Sequence, residues 1–173
     1  MKPALRVAAV SALALSLLAV AAARADDGSD GNALRWRSVI GLLAAGNEVG
    51  SGSGKVLGGG QPWTTLGGKA SVDVVKGRLA FDVRGLVFAG GNAVGTPGAI
   101  VQVKGTLVCD TDGSAGVGNS VLVDTPLVPL DDEGNASFGG AVSLPAVCTT
   151  EPDIAFLVRV PAGRWIANGA VLR

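Results

Sequence analysis

The amino-acid sequence predicts an all-β fold, an antiparallel β-sandwich or small barrel of about eight strands, and three observations carry that expectation. Short runs alternate apolar and polar residues at period 2, the repeat of a strand with one buried face. Glycine punctuates those runs: the chain has 27, none before residue 28. Past residue 25, no long stretch holds the 3.6-residue apolar period of a helix.

The first segment, MKPALRVAAVSALALSLLAVAAARADD, is an export signal rather than part of the fold. Lys2 and Arg6 precede an uncharged apolar run, and Ala23-Arg24-Ala25 supplies the small-residue cleavage site, so residues 1–25 are a signal peptide and Asp26 becomes the N-terminus. The rival is a retained anchor, but the run between Arg6 and Arg24 is 17 alanine-rich residues, at the short limit for crossing a bilayer. Residues 26–173 then form a single domain, secreted or periplasmic, with no membrane insertion of the processed chain.

Within that domain, LRWRSVI places Leu34, Trp36, Ser38 and Ile40 on one side against Arg35 and Arg37. The next segment, residues 46–68, has nine glycines in 23 residues and is expected to be a long mobile loop, because ordering that much glycine backbone costs conformational entropy. KASVDVVKGRLAFDVRGLVF reads as two strands joined at Gly77, with Val72 and Val74, then Leu79, Phe81 and Val83, facing inward. AIVQVKGTLVC puts Val101, Val103, Leu107 and Cys109 together, with Gly105 as a bulge or a point of close packing. NSVLVD is a further short strand. In LVPLDDEGN, Pro129 is expected to stop pairing ahead of a solvated turn. ASFGGAVSL, DIAFLVRV and RWIANGAVL complete the set, the second with Ile154, Phe156, Val158 and Val160 in phase.

GNEV, followed by GKASVDVVKGRLAFDVRGL and TPGAIVQVKGTL, resembles the layout of CHRD domains, secreted β-rich modules. The resemblance spans residues 47–107 and implies an exported β-sandwich-like module. Gly50 stands where CHRD domains usually carry proline, and their histidine-containing strand has no counterpart, so no functional residue carries across.

Composition narrows the chemistry. The chain has no histidine, which removes the commonest general base, the commonest zinc ligand and every Ser-His or Cys-His nucleophile scheme. The reading is therefore non-catalytic. A carboxylate-dependent hydrolase of glycoside type is the alternative, and Asp73 and Asp82 are the only acids inside strand-like runs. Beyond residue 25 there are 11 basic and 14 acidic residues, a net charge of −3 with no run of Lys or Arg, so neither nucleic acid nor anionic lipid is expected as partner. A glycan or a protein is the kind of partner left open. Lys69 with Ser71, and Lys104 with Thr106, stand two apart on the expected wet face and carry no catalytic assignment.

Two cysteines in an exported chain have one pairing, so Cys109 and Cys148 are expected as a disulfide. A reactive thiol would need a neighbouring cation, whereas Asp110 pushes the other way, and a zinc site needs more Cys or His than exist. The bridge would draw Asp110, Asp112, Glu151 and Asp153 together, four carboxylates that suit weak calcium binding; their rival reading is ordinary solvated turns. No other cofactor is expected. Trp63, after Pro62 in the glycine-rich segment, either stacks on a ligand or pins its loop to the core.

Overall fold

The computed structural model describes residues 33–115, 118–150 and 153–172, with side chains through residue 170; the signal peptide assigned to residues 1–25 lies outside them. The fold is all-β, as the alternation predicts. A curled antiparallel sheet, a half-barrel, carries the domain. Its strands are β1 (Ala33–Gly41), β5 (Gly67–Asp73), β6 (Arg78–Arg84), β8 (Gln102–Cys109), β10 (Val128–Pro129), β11 (Ala136–Ala141), β12 (Ile154–Arg159) and β13 (Trp165–Leu172). They lie in the order β10-β8-β12-β13-β1-β5-β6-β11, and β9 (Val121–Asp124) also pairs with β8. Two short ribbons stand beside the sheet: β2 (Glu48–Val49) with β3 (Val56–Leu57), and β4 (Trp63–Thr64) with β7 (Val87–Phe88). The one α-helical element among the described residues is a single turn, α1 (Val147–Thr150).

The period-2 pattern sorts side chains as expected in β6, where Leu79, Phe81 and Val83 are buried while Arg78, Ala80 and Arg84 are exposed. It fails where a strand is covered on both sides. Val103, Leu107 and Cys109 of β8 are buried, whereas Val101, expected with them, lies before the strand and is exposed; Thr106 and Val108 are buried too, and in β12 Leu157 is buried between Phe156 and Val158. A strand with two dry faces loses alternation, since every position then favours an apolar side chain. In β1 the phase changes: Val39 is 1% exposed and Ile40 40%, the reverse of the expectation for Ile40. Pairing of β1 with β5 ends at Trp36↔Ala70, after which β1 follows β13 alone and Val39 turns under neighbouring chain.

Aromatic rings fill the inside of the curl. Phe156 on β12 lies 5.7 Å from Trp36 on β1 and 5.6 Å from Phe81 on β6, centroid to centroid. Gly105 is a close-packing point, one of the two roles expected of it. A Cβ there would sit 2.8 Å from the Phe81 ring and 3.1 Å from Phe156. Pro129, rather than ending the pairing, forms β10 opposite Gln102. That position is at the sheet's edge, where a missing N–H is tolerated.

The glycine-rich segment, expected to loop away, runs along the sheet instead. Its residues make β2, a 3-10 turn at Gly52–Gly54, β3 and β4, with Gly54, Val56 and Trp63 buried. Here the glycines are steric necessities as well as entropic costs. A Cβ on Gly54 would meet the Ser120 carbonyl oxygen at 1.8 Å, and one on Gly41, in β1 beneath the ribbon, would meet the Trp63 carbonyl oxygen at 2.2 Å. Trp63 N donates to Leu42 O at 2.7 Å and its ring lies 4.1 Å from Phe88, which pins the ribbon.

Gly54→Ala is therefore expected to lower stability by about 1–3 kcal/mol, read as a drop in the urea midpoint. Gly60→Ala, where a Cβ would meet nothing within 4 Å, leaves that midpoint unchanged.

Candidate functional site

Cys109 ends β8 and Cys148 lies in α1, and the two are joined with Cα atoms 5.0 Å apart. Both sulfurs are buried, so the bridge is a core element as well as a staple. Immediately after Cys109 the chain turns sharply. Asp110 takes φ +56°, a left-handed conformation that aspartate tolerates better than most residues, and its side chain is fully buried. Ser120 Oγ donates to Asp110 O at 2.7 Å and accepts from Ser51 N at 2.8 Å, while Ser53 N donates to Asn119 Oδ1 at 2.7 Å. The loop after β8 is thus tied to the glycine-rich ribbon.

The turn gathers three of the four expected carboxylates. Asp110, Asp112 and Asp153 each place an oxygen so that the three lie within 4.8 Å of one another. Glu151 lies outside the described residues. Each carboxylate present has a donor from the protein: Asp153 Oδ2 accepts from Thr111 Oγ1 at 3.0 Å and Asp112 N at 3.1 Å, Asp112 Oδ1 from Ser114 N at 2.9 Å, and Asp110 from Ala115 N at 3.3 Å. The Ser114 backbone N–H, helped by its hydroxyl, holds the Asp112 carboxyl below its ordinary value. No lysine or arginine pairs with the three among the described residues. A cluster of this kind offers oxygen ligands to a hard cation and none of the nitrogen or sulfur that zinc prefers.

Trp63 is 2% exposed, its ring against Phe88. It holds its ribbon, the second of its two expected roles, and in this arrangement presents no face for stacking.

Asp73 and Asp82, the pair a glycosidase would need, both line an open groove on the outer face of β5 and β6. Their places do not suit that chemistry. Asp73 lies opposite Arg78 and Asp82 opposite Lys69, so four residues, or about 13 Å of strand, separate them, against about 5–9.5 Å for paired catalytic carboxylates. The Lys76 backbone N–H, with its ammonium beside it, also holds the Asp73 carboxyl below its ordinary value, the opposite of what a general acid requires.

One polar network escaped sequence reading. Asp124 at the end of β9 accepts from Lys104 Nζ, from Thr106 Oγ1 at 2.6 Å and from Arg159 Nη1 at 3.1 Å, joining β8, β9 and β12. Thr106, placed on the wet face by its alternation, is fully buried beneath it. The signal lay in register rather than in sequence, since Thr106 pairs with Asp124 across β8 and β9. Partial burial pushes the Asp124 carboxyl up, and the Lys104 hydrogen bond, Thr106 and the charge of Arg159 outweigh it and bring it below the ordinary 3.8.

No family model matches the chain, and no curated protein or solved structure matches it either. The likeness to CHRD domains rests on the residues quoted above.

A depressed aspartate contributes stability that is present above its unfolded pKa and lost as pH falls through the folded one. Asp124→Asn is expected to cost about 1 kcal/mol at neutral pH, given the part-exposed site. The melting temperatures of variant and wild type should converge as the pH is lowered below 3.8, the ordinary aspartate value.

Proposed function

We propose that the protein is an exported, disulfide-stapled β-module, secreted or periplasmic, that works by binding or as a structural element and not by catalysis. The observation that carries this reading is the buried Cys109–Cys148 bridge, a bond that persists in oxidising compartments, in a chain whose N-terminal residues have the form of an export signal. Two further features agree with it: among the described residues no helix is long and apolar enough to cross a membrane, and the chain lacks histidine. The secreted modules that residues 47–107 resemble are of the same broad kind.

Material isolated from outside the cytoplasm should begin at Asp26 and, denatured without reductant, should resist alkylation at both cysteines. Two alkylated cysteines in that material, or protein found only in the cytoplasm, overturn the reading. Reduction in denaturant should cost about 2–5 kcal/mol of stability on refolding as the dithiol, the usual effect of losing such a bridge.

A second reading keeps the fold and compartment and adds weak calcium binding. It is favoured by the convergence of Asp110, Asp112 and Asp153 beside the bridge, with no cationic side chain among them in the described residues. Calcium at ten times its dissociation constant would add about 1.4 kcal/mol to stability. The expected result is a melting point that rises with millimolar calcium in the wild type and not in Asp112→Asn; no rise in the wild type ends this reading.

A further inference from the structure

The outer face of β1, β5, β6 and β11 forms an open groove of about 820 Å³. Sheet register explains its shape. Arg35, Ser71, Ala80 and Gly139 line up directly across the four strands, so the floor past Arg35 is built of small side chains. A Cβ on Gly139 would meet nothing within 4 Å. Larger side chains stand at either end: Arg37 and Lys69 at one, Lys76 and Arg78 at the other.

The charge is one-sided. Among the described residues, five of the 10 basic side chains line this groove, against two of the 10 acidic ones. Both acids are already engaged, Asp73 with Lys76 at 3.4 Å and Asp82 with Arg84 at 3.8 Å. Arg37, Lys69 and Arg78 make no ion pair among the described residues. No run of basic residues exists in the sequence; pairing of strands brings these cations together on a chain of formal net charge +0.

We propose that this groove is the module's ligand site and that it takes an acidic polysaccharide, a sugar chain bearing carboxylate or sulfate groups. The assignment rests on the non-catalytic reading above and names its ligand. Cations at both ends of the groove, Lys69 and Arg78 being about 13 Å apart along the strands, call for a ligand with repeated anionic groups rather than a single small ion. The shallow floor admits a chain lying flat, and Ser71, Asp73 and Asp82 offer hydrogen-bond partners to hydroxyls. Nucleic acid fits less well. The aromatic residues of the lining, Trp36 and Phe81, are each 3% exposed and leave no ring for base stacking. A protein partner would want an apolar anchor pocket, which a floor of Ser, Ala and Gly does not supply.

The test is calorimetric titration of the purified, oxidised protein at low salt with polygalacturonate, heparin and neutral dextran. Binding is expected for one or both polyanions, weakening as salt is raised, and not for dextran. Which polyanion binds tells carboxylate from sulfate. Arg37→Gln/Lys69→Gln/Arg78→Gln should bind about tenfold more weakly or worse. Gly139→Glu, which sets a carboxylate in the open floor, should abolish binding at an unchanged melting point. Lys55→Gln, remote from the groove, should change nothing. The proposal is overturned if neither polyanion binds, if dextran binds equally, if both groove variants bind like wild type, or if anionic vesicles or single-stranded DNA bind through these residues while the polysaccharides do not. Release of reducing ends from a bound polysaccharide would instead overturn the non-catalytic reading and leave the groove in place.

Discussion

The contact of Phe156 with Phe81 sets the shape of the whole domain. The two strands that carry these rings stand four places apart in the sheet, about 19 Å if the sheet were flat, yet the ring centroids are 5.6 Å apart. Only a strongly curled sheet brings them together. Gly105, on the strand beyond Phe156, allows the last step of the approach, because a side chain there would occupy the space of the Phe81 ring. Trp36 and Phe138 extend the same cluster from the floor and the far edge. The curl buries large apolar areas on its inside, the main favourable term in such a fold.

The curl leaves β8 in an unusual position. It pairs with β12 on one side and with both β9 and β10 on the other, and its residues from Gly105 to Cys109 are all buried. A strand so enclosed must turn abruptly when it leaves the sheet, and Asp110 does so in a left-handed conformation. The disulfide fixes the start of that turn, and hydrogen bonds from Ser51 and Ser53 fix the ribbon against its far end. The acidic cluster is a product of this geometry. Three carboxylates lie close because the bridge and the turn leave their backbones close, each with local donors of its own.

The fold was legible where one physical rule decided the outcome. Alternation in β6 identified Leu79, Phe81 and Val83 as core, because that strand has one wet and one dry face. The cysteine pair followed from there being two cysteines, together with the expectation of export. Legibility ended where a second face was covered, as at Thr106 and Leu157, since period 2 carries no information about what packs outside a sheet. It also ended in the glycine-rich ribbon. Glycine abundance signals entropy cost, and the same residues permit backbone contacts such as Gly54 on Ser120 that no other residue allows. The basic groove and the Asp124 network were hidden for a simpler reason. Their members come from strands far apart in the chain, and registers such as Ser71↔Ala80↔Gly139 are properties of the folded sheet.

The same covering decides which faces of the sheet are left open. The inside of the curl is filled by aromatic rings, and the outside of β8 is closed by chain that buries Thr106 and Val108. Among the described residues, open sheet surface remains on β1, β5, β6 and β11, where Arg35, Ala80 and Gly139 are exposed. There the long residues Arg37, Lys69, Asp82 and Arg78 stand around a row of short ones, and the difference in side-chain length by itself makes a groove on an otherwise regular surface. Large floor residues would close it and acidic end residues would reverse its sign. With the present set, a chain of formal net charge +0 gathers five cationic side chains on one sheet face, and cross-strand register rather than nearness in the sequence sets their spacing.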